Sequence, residues 1–284
     1  MLRVEPVGDA ASLLARLRCE ADGGPVALGL DCSIGLPRAY AARHAGGARD
    51  FPEFLRGLDA SAGFFQVAAT LAEVAPGRPF YPARPARGMT RAAHAAALGL
   101  PDAAALSRRC DRATADRPAG APLFWTLGAN QTGKAALHAW REMLIPALHG
   151  PASVCLWPFD GPFRTLLRPG AVAVAECYPA EAMRQLGVRS SGSKRRQADR
   201  LALLPALGTA MAALGAVPDD TLAALLRAGL GADAAGEDRL DCLLGVLCTL
   251  AVVLGRRVDE APDDPWIKAW EGWVLGQAPP PYGC

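Results

Sequence analysis

The sequence predicts an α/β fold, and three observations carry that reading. Three short apolar runs, VALGLD (26–31), SVCLWPF (153–159) and AVAVAECYP (171–179), read as buried strands bounded by turn residues. Segments with helical spacing fill the chain between and after them. Strands alternating with helices imply a mostly parallel sheet with right-handed crossovers.

Taken in order, LRVEPV (2–7) reads as a short strand ending at Pro6. DAASLLARLRCEA then puts Leu13, Leu14 and Leu17 on one helical face, with Asp9 as the N-cap. After VALGLD the stretch from about 38 to 150 is mainly helical. It contains PRAYAARHAG, DFPEFLRGL, TRAAHAAALGL, ALSRRCDRATA and KAALHAWREMLIPALHG, and it is interrupted by a Pro- and Arg-rich extended loop at 76–88. Behind the third strand come AEAMRQLG, SKRRQADRLALLPALGTAMAAL, DDTLAALLRAGL and EDRLDCLLGVLCTLAVVLG, all with helical patterning. Trp266, Trp270 and Trp273 are spaced four and three apart, which predicts one helical face packed back on the body.

Length and composition bound what the chain can be. Its 284 residues, read as one domain spanning 1–284, are enough to bury a sizeable core, and 51% hydrophobic content excludes disorder. Thirty basic against 28 acidic side chains give a formal charge of +2. That supplies no whole-molecule field for a polyanion, so any nucleic-acid contact requires a local patch. Eight cysteines without a CxxC pair predict a reduced, cytoplasmic protein with no structural zinc. No secretory leader and no apolar run long enough for a bilayer is read, so no membrane partner is expected.

Gly128 to Lys134 spells GxxxxGK, the loop that cradles phosphates, with PLFWTL before it and KAALHAW after it. The motif then requires a Ser or Thr to ligate magnesium, and the chain has Ala135. The loop therefore reads as a turn shaped by Gly128 and Gly133, with Asn130, Gln131 and Lys134 as candidates to hold a substrate phosphate.

Acids at strand ends are more informative. Asp31 closes VALGLD and Glu176 closes AVAVAE, and the carboxyl ends of parallel strands face one crevice. Asp238 and Asp241, three apart, share a face at the front of a long apolar helix and are placed to complete the group. Converging carboxylates repel unless a cation neutralises them. Hard oxygen ligands suit Mg or Mn, which activate water for phosphodiester cleavage. The four histidines, in Ala-rich helical surroundings, are assigned no ligand role, and Cys32 is read as a packed thiol.

Seven blocks in order, GLDCSIGLPRAYA, FWTLGANQTGKAALHAW, LWPFDG, AECYPAEAMRQLG, KRRQADR, GEDRLDCLLGV and EGWVLGQ, resemble a bacterial family, domain of unknown function 429, regarded as ribonuclease H-like nucleases. The likeness runs from about residue 26 to 277. It implies a ribonuclease H-like mixed sheet flanked by helices, with the helical stretch as an insertion. It also implies acids at Asp31, Glu176 and Asp238 or Asp241, and a basic segment at Lys194, Arg195, Arg196 and Arg200 that contacts phosphate. One departure is expected to matter: that fold opens with a hairpin carrying an essential Asp, and only one short strand and one helix precede VALGLD. Cys32-Ser33 also stands where the family has an apolar residue or proline.

The expected function is a Mg- or Mn-dependent nuclease with Asp31, Glu176, Asp238 and Asp241 as catalytic residues and ligands. The alternatives are a catalytically impaired binder of nucleic acid or a phosphorylated ligand, and a nucleotide-binding enzyme using GANQTGK. The sequence leaves oligomeric state and the choice of DNA or RNA open.

Overall fold

A computed structural model describes residues 1–85, 87–114, 117–127, 132–151, 153–189 and 192–279. Within them the fold is α/β, built on a three-stranded sheet of order β1 (Val26–Leu30), β3 (Ala171–Glu176), β2 (Ser153–Leu156). All three strands are parallel, with Val26 opposite Val172, Leu30 opposite Glu176 and Leu156 opposite Val174. The expected strand LRVEPV makes a single bridge, Leu2 to Pro218, and so adds no antiparallel strand to the sheet. Its Leu2 and Val4 side chains pack under a helical cluster instead.

Central β3 is buried throughout, and its alternation explains the layers. Val172 and Val174 point to one face, where they meet Leu156 and the long segment between β1 and β2. Ala173 and Ala175 point to the other and pack with Cys155, Trp157, Val252 and Trp273.

The segment between β1 and β2 is a chain of short elements: α2 (Arg38–His44), α3 (Phe51–Gly57), α4 (Arg91–Ala97), α5 (Thr132–Ala139) and α6 (Ile145–His149), with a π turn joining the last two. Asp50 caps α3 and Thr90 caps α4 through their side-chain oxygens. Phe51, Phe64, Phe80, Phe124 and Trp140 form an edge-to-face aromatic network beneath them. Over its described residues, 105–114, ALSRRCDRATA is not an α-helix: 3₁₀ turns at Ala103–Leu106 and Arg109–Asp111 take its place. The Asp111 carboxylate accepts from the Arg108 N–H at 3.2 Å, a local bond that competes with helical pairing. PLFWTL pairs with Tyr81 through one bridge at Trp125.

Helix α1 (Leu13–Glu20) precedes β1, and Asp9 closes the turn before it by accepting from the Ser12 N–H. Helix α7 (Phe163–Leu166) joins β2 to β3. Beyond β3, helices α8 (Pro179–Gln185), α9 (Gln197–Ala213), α10 (Asp220–Arg227) and α11 (Ala235–Val253) share their own apolar core. Helix α9 starts at Gln197, so Lys194, Arg195 and Arg196 lie in a turn and not on a helical face. Helix α11 lies against β1 over Gly29, where a Cβ would sit 2.7 Å from both Cys177 Sγ and Thr249 Oγ1.

The three C-terminal tryptophans divide. Trp270 packs with the first core and Trp273 with the second, beyond the π turn Ile267–Glu271. Gly272 ends that turn with φ +66°, and a Cβ on it would meet Ile34 O at 2.1 Å. The C-terminal turn is thereby pressed against the loop that follows β1. Among the described residues, no helix is long and apolar enough to cross a membrane.

Candidate functional site

Because Leu30 and Glu176 are register partners, Asp31 and Glu176 emerge at the same end of adjacent parallel strands. The loop after Asp31 is fixed from several directions. Ile34 N–H donates to Glu176 Oε2 at 2.8 Å, Trp140 Nε1 donates to Ser33 O at 2.8 Å, and Leu36 N–H donates to Trp270 O at 2.7 Å. The start of α11 and the turn before α9 close the other side. Together they enclose a cavity of about 470 Å³ lined by four carboxylates, Asp31, Glu176, Glu237 and Asp241, and by Lys194.

Glu176 is buried and held by a residue that sequence reasoning did not single out. Arg108, fully buried, donates Nη1 to Glu176 Oε2 at 2.6 Å and Nη2 to Oε1 at 2.7 Å. The same guanidinium reaches both oxygens of Asp111 at 3.0 and 2.9 Å and Ser33 Oγ at 3.0 Å. Burial pushes the Glu176 carboxyl up from its ordinary value, and the Arg108 charge pulls against that shift. The planar fork of arginine suits this bidentate task. The pair is separated by 68 residues in the chain, and no local spacing announces it.

Asp31 has no such partner among the described residues. It borders solvent at the cleft mouth while protein crowds it on its other sides. That crowding, reinforced by the charge of Asp241 and opposed by Lys194, pushes its carboxyl up to about 7. Asp241 is raised by burial too, and Lys194 restrains it by donating from Nζ to both carboxylate oxygens at 2.5 and 2.8 Å. Asp238 is exposed and outside the lining, so it acts on Asp31 only through its charge. Glu237 takes the place beside Asp241 that was expected of Asp238, and it pairs with Arg195 at 3.3 Å. The spacing of four between Glu237 and Asp241 was the available signal.

The basic segment is engaged within the chain. Arg196 pairs with Asp199 at 2.6 Å. Arg200 is buried and clamps three carbonyls, Lys194 O, Gly229 O and Gly231 O, at 2.6, 2.8 and 2.5 Å. It therefore holds the turn in place and has no face for a phosphate. From the GANQTGK loop Thr132 lines the cavity, as does Ala135 just after it, and Lys134, half-buried on α5, does not. Asn130 and Gln131 lie outside the described residues. Cys32 is buried and its thiol is pushed up, first by burial and then by Glu176, which leaves it inert as a nucleophile.

Carboxylate oxygens suit Mg or Mn, yet as folded these acids do not form a preassembled metal shell. Among the described residues, no three His, Cys, Asp or Glu side chains are grouped to hold an ion. Glu176 is turned to Arg108 and Asp241 to Lys194.

A larger cavity, about 1040 Å³, opens near the far end of α11. There Arg164 pairs with Asp259 and Lys268 with Asp263, and each pairing holds its carboxyl below the ordinary value. Size alone does not make it the reactive site; the perturbed groups lie in the smaller cleft.

Comparison of the chain with protein-family models, with curated proteins and with solved structures finds no match.

Proposed function

We propose that the cleft hydrolyses phosphodiesters of nucleic acid in the cytoplasm and requires Mg or Mn to do so, on a ribonuclease H-like architecture. One observation carries this reading. Carboxylates from the end of β1, from β3 and from α11 line a single cavity at the carboxyl ends of parallel strands, and desolvation by the surrounding protein, reinforced by the charge of Asp241, drives Asp31 up to about 7. Such a field favours a bound cation. A carboxyl with that value also exchanges protons readily near neutral pH, as a general acid or base must. The family-like blocks support the same residues.

A specific observation favours a second reading, a binder without catalysis. Glu176, Glu237 and Asp241 each already have a cation of the chain beside them, Arg108, Arg195 and Lys194. The two readings separate in one experiment. Labelled single-stranded, duplex and hybrid substrates are incubated with the full chain in Mg or Mn, beside Asp31→Asn. The nuclease reading expects cleavage that falls at least about a hundredfold in the variant. Retention of substrate in a binding assay with no cleavage by either protein selects the binder, and neither cleavage nor binding rejects both.

A further inference from the structure

The sheet ends on one side at β1, and the outer edge of that strand is open. Cys177 N–H donates to Leu30 O at 2.8 Å, and along a parallel ladder alternate residues bond to the neighbouring strand. Val26, Leu28 and Leu30 therefore turn their main-chain groups to β3, and Ala27 and Gly29 turn theirs outward. Among the described residues, no group of the chain bonds to the N–H or C=O of Ala27 or Gly29.

These groups are also within reach of another molecule. All five residues of β1 are half-buried, and Gly29 has no side chain, so its exposure is that of its main chain. VALGL carries no charge, no proline and no bulge, the devices that close an edge to other strands. We propose that β1 is an interface between two copies of this chain, paired antiparallel, edge to edge, about a two-fold axis at Leu28. Two three-stranded sheets then join into one. The pairing goes beyond the hydrolytic reading and does not depend on it.

The hydrogen-bond pattern of the edge selects a second copy. About an axis through Leu28, Ala27 faces Gly29 of the other copy, and residues that face each other in this way exchange both of their bonds. Every outward group of the two strands is thereby satisfied. Pro25, which has no N–H, stands opposite Asp31 of the other copy and ends the pairing there. Leu28 meets its own counterpart and Val26 meets Leu30, which covers side chains that the first core leaves partly exposed.

Charge does not oppose the arrangement. The two Asp31 carboxylates lie at opposite ends of the paired strands, about 20 Å apart at about 3.3 Å per residue, which is beyond the reach of exposed charges in physiological salt. A foreign strand must order itself as it docks, whereas the second copy presents an edge already held in strand form by β3.

The full chain is sedimented in an analytical ultracentrifuge across a concentration series, and main-chain amide exchange is read residue by residue at both ends of the series. A concentration-dependent dimer is expected, with exchange at Ala27 and Gly29 slowed about tenfold or more at the high end, while Leu28, bonded within the sheet, stays slow throughout. Ala27→Pro removes an outward N–H and blocks the edge with its ring while the bonds to β3 stay in place, so this variant is expected to sediment as a monomer with an unchanged circular dichroism spectrum.

A monomeric wild type with both amides exchanging fast overturns the pairing and leaves the edge to a different strand. A dimer that survives Ala27→Pro, with exchange at Ala27 and Gly29 indifferent to concentration, places the contact elsewhere and overturns it as well. Should Ala27→Pro fail to fold, the exchange of the wild type still decides.

Discussion

On the β3 side of the cleft, Glu176 is gripped by a guanidinium whose side chain has no exposure at all. On the α11 side, Asp241 is gripped by an ammonium that is 25% exposed. Both are two-point contacts of similar length, yet their consequences differ. Arg108 cannot leave without stranding Glu176 and Asp111 in a dry interior, so that pair belongs to the fold. Lys194 has water within reach of its side chain, so that pair depends less on a dry interior than the Arg108 pair does. The depth of each cation, more than its charge, decides which role it plays.

The sharpest way to break the comparison is Arg108→Met. Leaving two buried carboxylates unpaired is expected to destabilise the fold by about 3–5 kcal/mol, read by denaturant unfolding. A loss below about 1 kcal/mol would mean that Glu176 is as replaceable as Asp241.

A smaller effect is expected from pH. Asp31 ionises near about 4 in an unfolded chain and is raised to about 7 in the fold, so between those values the folded state holds the extra proton. Stability should therefore fall as pH rises from about 4 to about 7, by roughly 1 kcal/mol once solvent at the cleft mouth is allowed for. Asp31→Asn should flatten that part of the profile, and an unchanged slope would assign it to another group. The least effect belongs to Lys194→Met, expected to cost under about 1 kcal/mol in metal-free buffer. A loss as large as that of Arg108→Met would erase the distinction between the two pairs.

Much of the framework was legible. VALGLD and AVAVAE show their strands and terminal acids because an apolar run followed by a carboxylate and a turn is a local pattern. The convergence of Asp31 and Glu176 follows from parallel pairing, which the alternation with helices implied. What escaped depends on contacts between distant segments. Arg108 meets Glu176 across 68 residues, and in sequence it stands among other arginines with nothing to distinguish it. The choice of Glu237 over Asp238 depends on how α11 is rotated, and in a helix with Leu and Val on several faces the spacing leaves that rotation loose. The start of α9 was placed too early. SKRRQADR carries helical spacing, whereas the chain holds Lys194 in a turn through the buried clamp of Arg200.

Gly29 gains a meaning beyond packing. Helix α11 rests on β1 where Gly29 leaves room for Cys177 and Thr249, and the same helix carries Asp241 while the same strand delivers Asp31. A missing methyl group beneath the cleft thus sets how closely two negative charges approach above it. The electrostatic tension of the site is tuned from its floor, by a residue that bears no charge and does not line the cavity.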